Sequence, residues 1–348
     1  MRKVLLASGA LWLALVILAG CASTLQHAQA PPLVFPSPTA GAGSSGSSGP
    51  TKVAVLLTYH GHNAPVLSVA WSPDGKEIAS TDGANPQVWD ATTGKLLLTY
   101  TGDQSGANAL AWSPDGKKVA SGGYFGVVDV WDAASGNTLL TYRGHSNTIK
   151  AVAWSPDGSK VASASDDQTV QVWNATTGKL LATHPAHTQV NAIAWSPDGT
   201  KIASAGNNSE VEIWDASTGK TLLTYLGHHQ IVLAVAWSPD GTRIASGGVD
   251  MQVQVWDAKS GMLYFAYTGH MGQVNAIAWS PDGSRIASGS GAYLASDPAP
   301  LQIWEAATGQ AVFKSSGGAN VQALAWSPDG TKVATAGNDR AVQIWQVS

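Results

Sequence analysis

Two hydrophobic regimes divide the chain. Residues 4–20, VLLASGALWLALVILAG, form an unbroken apolar run without a charge, behind the short cationic start Met1–Arg2–Lys3. After residue 50 apolar residues come in short groups, many alternating with period two. Within 139–173 these are LLTY (139–142), TIKAVAW (148–154), VASAS (161–165) and VQVW (170–173). Such runs bounded by turn residues predict short strands. Pro156–Asp157–Gly158 supplies a turn: Pro fixes φ, Asp bonds locally and Gly takes positive φ. NATTGK (174–179) closes a second hairpin. No helical period is sustained after residue 50, so the prediction is an all-β fold.

The pattern is periodic. The string WSPDG begins at Trp71, Trp112, Trp154, Trp195, Trp237, Trp279 and Trp326, in steps of 41, 42, 41, 42, 42 and 47. A second Trp follows each: Trp89, Trp131, Trp173, Trp214, Trp256, Trp304 and Trp345. With Trp12 these account for all 15 tryptophans, so one unit has been copied seven times. A Gly lies five residues after the second Trp in six units, at Gly94, Gly136, Gly178, Gly219, Gly261 and Gly309. That constancy predicts a left-handed backbone position. A period near 42 is read before any domain is cut.

These residues resemble the WD-repeat family over 51–348. The resemblance implies a seven-bladed β-propeller of four-stranded antiparallel blades. The final repeat stops after the strand of Trp345 and lacks its outer strand. Residues 53–59, VAVLLTY, look like LLLTY (96–100) and LLTY (222–225). They are expected to pair with 341–347, sealing the ring and hiding an exposed edge.

His, Ser and Asp recur at fixed offsets: His145, Ser163 and Asp167 with Trp173, and His228, Ser246 and Asp250 with Trp256. These are the ingredients of a hydrolase triad. A hydrolase needs one such site, and the set recurs. The resemblance implies instead a buried hydrogen-bond tetrad that locks the outer loop to its blade. Other units depart from it. Unit two has Asp103 in place of His, with Tyr124–Phe125 near the missing Asp. Unit four has His187 out of register and Asn208 for the Asp. Unit six keeps His270 and Ser288, but its longer loop 289–300 displaces the acid to Asp297. Unit one keeps His62 and Ser80, with a short loop at Asp82. Unit seven lacks the His, with Gly317 in its place, and keeps Asp339. Two tetrads are therefore complete, and blades two, four and seven are expected to be looser. His60–x–His62, His184–x–x–His187 and His228–His229 have no Cys or acid converging on them, so no metal is assigned. No nucleotide fingerprint or basic cluster is present, and no cofactor is expected.

Composition narrows the partners. Nineteen Lys and Arg stand against 23 Asp and Glu, a net charge of −4. Without Arg2 and Lys3 the balance is 17 against 23, or −6. A mildly acidic chain with 12 % charged residues is a poor electrostatic partner for nucleic acid or anionic lipid. The hydrophobic share of 44 % excludes wholesale disorder. The single cysteine, Cys21, closes the stretch Leu18–Ala19–Gly20–Cys21, which resembles a bacterial lipobox. Residues 1–20 are thus expected to be a lipoprotein signal peptide, with Cys21 lipidated. Residues 21–50, rich in Pro and then Gly and Ser, read as a flexible tether. The propeller, a monomeric ring, would stand outside a bacterial membrane and touch it through the lipid alone. Ala22, rather than Asp, resembles the outer-membrane-sorted class where the host has such a membrane.

The WD-repeat resemblance also implies where partners dock: the face built from loops entering the first strand and loops between strands two and three. Carried over unit by unit, its contact positions include Leu67, Asn108, Tyr124, Phe125, Lys150, Asn191, Ile231, Leu233, Asn275, Tyr293, Leu294 and Gln322. Ile231, Leu233 and Val249, beside Tyr293 and Leu294, read as an apolar patch in a rim of Asn and Gln. The expected function is a non-enzymatic scaffold that binds proteins or peptides. The alternatives are a small-ligand or glycan module using the central channel, and, more remotely, a hydrolase.

Overall fold

The computed structural model describes residues 53–102, 106–186, 188–291 and 298–347. Cys21, Asp103, His187, Tyr293, Leu294 and Asp297 lie outside them, as do residues 1–50, where a signal peptide and tether were expected. The described residues belong to one compact unit and form seven antiparallel four-stranded sheets arranged as a closed ring of blades. In blade three the strands are Ile149–Trp154, Lys160–Ser165, Thr169–Asn174 and Leu180–Pro185, in that order from inside to outside. The run Leu139–Tyr142 falls in the outer strand Thr138–Tyr142 of blade two. A sequence repeat is therefore offset from a blade by one strand, and each repeat staples two blades together.

The expected closure is present. Val53–Tyr59 pairs with Val342–Val347, from Val53 opposite Val347 to Tyr59 opposite Val342. The last blade thus takes its outer strand from the start of the propeller, which leaves no open edge at the seam. The six predicted left-handed glycines all adopt φ between 69 and 73°. The one short helical turn among the described residues is Tyr124–Gly126.

The core is distributed. Seven apolar clusters sit between neighbouring blades, and one of them joins Val342 and Ile344 of blade seven to Val69 and Trp71 of blade one. Both faces of each second strand are therefore covered, and its residues must be small where the next blade presses in. At Gly247 an added Cβ would lie 2.8 Å from Ile277 Cδ1 and Val274 Cγ1, closer than a carbon can stand. Six of the seven inner tryptophans donate from Nε1 to an alanine carbonyl of the preceding blade, such as Trp154 to Ala111 at 3.1 Å. Trp112 is the exception, its buried Nε1 having no partner.

Candidate functional site

In blade three the four tetrad residues meet. His145 Nδ1 lies 2.8 Å from Asp167 Oδ2, and its Nε2 lies 2.9 Å from Ser163 Oγ. A carboxylate only accepts, so Nδ1 holds the proton and Nε2 accepts from the serine hydroxyl. The Trp173 indole N–H donates to the same hydroxyl oxygen at 3.1 Å. Blade five repeats the set, with His228 at 2.7 Å from Asp250 and 2.8 Å from Ser246, and Trp256 donating to Ser246 at 3.0 Å.

Both serines are fully buried. A hydroxyl enclosed between an indole donor and an imidazole presents no face to a substrate. The arrangement fastens the loop before each blade to that blade's middle strands, and satisfied buried networks of this kind rigidify a fold. Burial, the largest influence, pushes the His145 pKa below its ordinary value in spite of Asp167. For Asp167 burial works upward, but the Thr169 hydroxyl, His145 and the Ser146 amide outweigh it and hold the carboxyl low.

The incomplete blades follow their sequence departures. In blade one His62 reaches Ser80 at 2.7 Å, while Asp82 stands 3.7 Å from Nδ1 and accepts the Asn63 and Ala64 amides instead. His62 Nδ1 is left without a hydrogen-bond partner. In blade six His270 keeps Ser288 at 2.7 Å, and Gln302 Nε2 lies 3.1 Å from His270 Nδ1. Blades two and four keep the Trp–Ser bond, Trp131 to Ser121 and Trp214 to Ser204, each at 3.1 Å.

One recurring contact escaped the sequence reading. At six of the seven junctions a residue at the end of the outer strand lays a ring flat on the second Trp of the next blade. Tyr142 stacks on Trp173 at 4.6 Å between centroids and Tyr225 on Trp256 at 4.3 Å. Desolvation raises both phenols to about 12. In blade four the ring is His184, stacked on Trp214 at 4.8 Å with Nε2 2.9 Å from Glu212. His184 is thus a packing residue in a tyrosine's place. A tyrosine three residues before each tetrad histidine was the signal available. Among the described residues no three His, Cys, Asp or Glu gather as metal ligands.

On the loop face, Leu67, Tyr124 and Phe125 are 38, 49 and 81 % exposed. They lie on blades one and two around two glycines. A Cβ at Gly83 would stand 3.4 Å from Leu67 Cδ1 and 3.9 Å from Asn108 Oδ1, and one at Gly106 would stand 3.8 Å from Tyr124 Cδ2. Phe125 holds φ 62° and ψ 15°, a left-handed conformation that L side chains resist. It occupies the position of the tetrad aspartate yet points to solvent, so it does not fill the gap.

The rest of the face is more committed to the ring itself. Lys150 pairs with Asp166 at 3.5 Å. Asn191 donates to the Val232 carbonyl of the next blade at 3.0 Å and to Asn207 at 2.9 Å. Asn275 donates to the Val321 carbonyl at 2.9 Å, and Gln322 to Asn338 at 3.1 Å. These amides serve as braces as well as rim. Ile231, Leu233 and Val249 are half-buried.

Seven blades in a closed ring, six of the junctions braced by inner indoles and the outer loops held by a recurring hydrogen-bond network, define a β-propeller of the repeat type. The chain matches the WD domain, G-beta repeat, family at residues 54–90, 94–132 and 136–174, and the IFT122 first beta-propeller family at residues 189–348. It belongs to the WD-repeat β-propeller family, whose members are commonly protein-interaction scaffolds and typically non-enzymatic. A comparison with curated proteins finds no match.

Proposed function

We propose that the protein is a non-enzymatic interaction scaffold that engages a protein or peptide through the loop face of blades one and two. The observation that supports this most directly is Phe125, 81 % exposed on a left-handed backbone beside exposed Tyr124 and Leu67. Backbone strain concentrates at functional positions, and a large exposed aromatic on a rigid ring suits an interface anchor. Fully burying a side chain of this size stabilises a complex by roughly 1.5–3 kcal/mol. The finer reading rests on sequence: the lipobox-like Leu18–Cys21 and the tether to residue 50 support a propeller held by lipid outside a bacterial membrane.

The test is affinity capture from an intact membrane fraction, comparing the native ring with a variant carrying alanine at Leu67, Tyr124 and Phe125. The variant is expected to lose partners without losing thermal stability. Undiminished capture would overturn this site. Mass spectrometry of the N-terminal peptide in the same material tests the acyl group on Cys21.

A further inference from the structure

The seventh blade junction lacks what the other six share. At those six a ring stacks within 10° of parallel on the second Trp, and all six tryptophans are fully buried. At the seventh, strand register puts Ser315 where the rings stand, since Lys314 pairs with Gln302 as Ala266 pairs with Gln254. Gly318 stands three residues after Ser315, where His270 follows Tyr267, so the histidine is missing too, and a Cβ at the neighbouring Gly317 would meet nothing within 4 Å. Trp345 is accordingly half-exposed.

Two missing side chains leave a cavity of about 170 Å³ between blades six and seven, lined by Pro300, Ser315, Gly317, Thr335, Gln343 and Trp345. A dry cavity near 150 Å³ holds one benzene ring, so this one is large enough for a single aromatic. Its polar partners remain. Thr335 Oγ1 accepts the Trp345 indole N–H at 2.9 Å, as the tetrad serines do. Gln343 sits two residues before its Trp. Gln87 and Gln254 in that position accept the Tyr59 and Tyr225 hydroxyls at 2.6 Å, and Gln302 accepts that of Tyr267. Gln343 lines the cavity, and its carboxamide has no hydrogen-bond partner among the described residues.

We propose that this cavity is a binding site for a phenol ring, which stacks on Trp345 and donates its hydroxyl proton to Gln343. The molecule itself supplies the template: its own tyrosines stack in the equivalent space at five junctions, and at four of them the hydroxyl donates to the glutamine two residues before the Trp. The site is separate from the loop-face patch and does not depend on it. The phenol is either a free small molecule or the side chain of a tyrosine in a partner.

The test uses fluorine NMR with 4-fluorophenol on the full propeller, with fluorobenzene as the ring lacking a hydroxyl. Binding of 4-fluorophenol with a dissociation constant on the order of 1 mM is expected from so few atoms. Fluorobenzene should bind at least about threefold more weakly, the loss of one hydrogen bond. Ser315→Tyr should fill the slot, abolish binding and raise the melting temperature. Gln343→Leu, which leaves the packing in place, should erase the preference for the phenol. Competition by N-acetyltyrosinamide supports a tyrosyl ligand; binding of 4-fluorophenol without that competition supports a free phenol. Absence of binding, equal binding of the two probes, or a response unchanged in both variants would overturn the site.

Discussion

Trp71 Nε1 donates to the carbonyl of Ala325 at 3.2 Å, across 254 residues of chain. This bond crosses the seam where the ring meets itself, beside the pairing of Val53–Tyr59 with Val342–Val347. It gives the seam the same indole brace as five of the six internal junctions, so the closure is built as they are.

Removing residues 51–60 should therefore open the ring. The deletion exposes the edge of Val342–Val347 and uncovers Trp89, which Tyr59 covers at 4.4 Å. The melting temperature is expected to fall by at least about 5 °C, with aggregation in light scattering. An unchanged melting curve would show that the seam contributes nothing.

The tetrads differ in how much they hold. Ser163 serves both His145 and Trp173, whereas Ser121 serves Trp131. Ser163→Ala leaves two buried ring nitrogens unsatisfied, a loss of about 2–3 kcal/mol. Ser121→Ala strands one, at about 1 kcal/mol. Hydrogen exchange resolved by blade should show blade three loosening more than blade two in these variants.

Acid should weaken the ring before any carboxylate titrates. The folded protein holds His62 and His145 below their ordinary values through burial. The unfolded chain therefore binds these protons first as pH falls. Their contribution is whole above about pH 6.5 and is lost as pH falls through the lower folded-state values. Denaturant midpoints should be lower at about pH 5.5 than at about pH 7.5. His145→Gln should lower stability at both and flatten the difference.

Phe125→Gly separates binding from folding. Glycine tolerates φ 62° where phenylalanine is strained, and the ring it removes is exposed. Relief of about 1–2 kcal/mol is offset by glycine's greater freedom in the unfolded chain, about 0.5–1 kcal/mol. Stability should stay level or rise slightly while partner capture drops. A clear loss of stability would mean that Phe125 packs in the native ring.

Much of the fold was legible because repetition averages away local ambiguity. Seven copies of WSPDG and of the second Trp set the blade number, and six glycines marked their own left-handed turns. The likeness of residues 53–59 to the outer strands named the closing partner. The loop face was less legible. Asn191 and Asn275 looked like free rim donors, and only the folded ring shows their amides on the carbonyls of Val232 and Val321 in the next blade.

The sequence by itself determined whatever depends on residues near one another in the chain: the turns, the strand alternation and the count of units. The tertiary structure decided what depends on the neighbouring blade. That includes the stacking of Tyr225 on Trp256, the place of His184 as a packing ring, and the space over Trp345 that Ser315 leaves. The reason is physical. A repeat states its own side chains, but which of them become covered depends on the surface that the next copy presses against it.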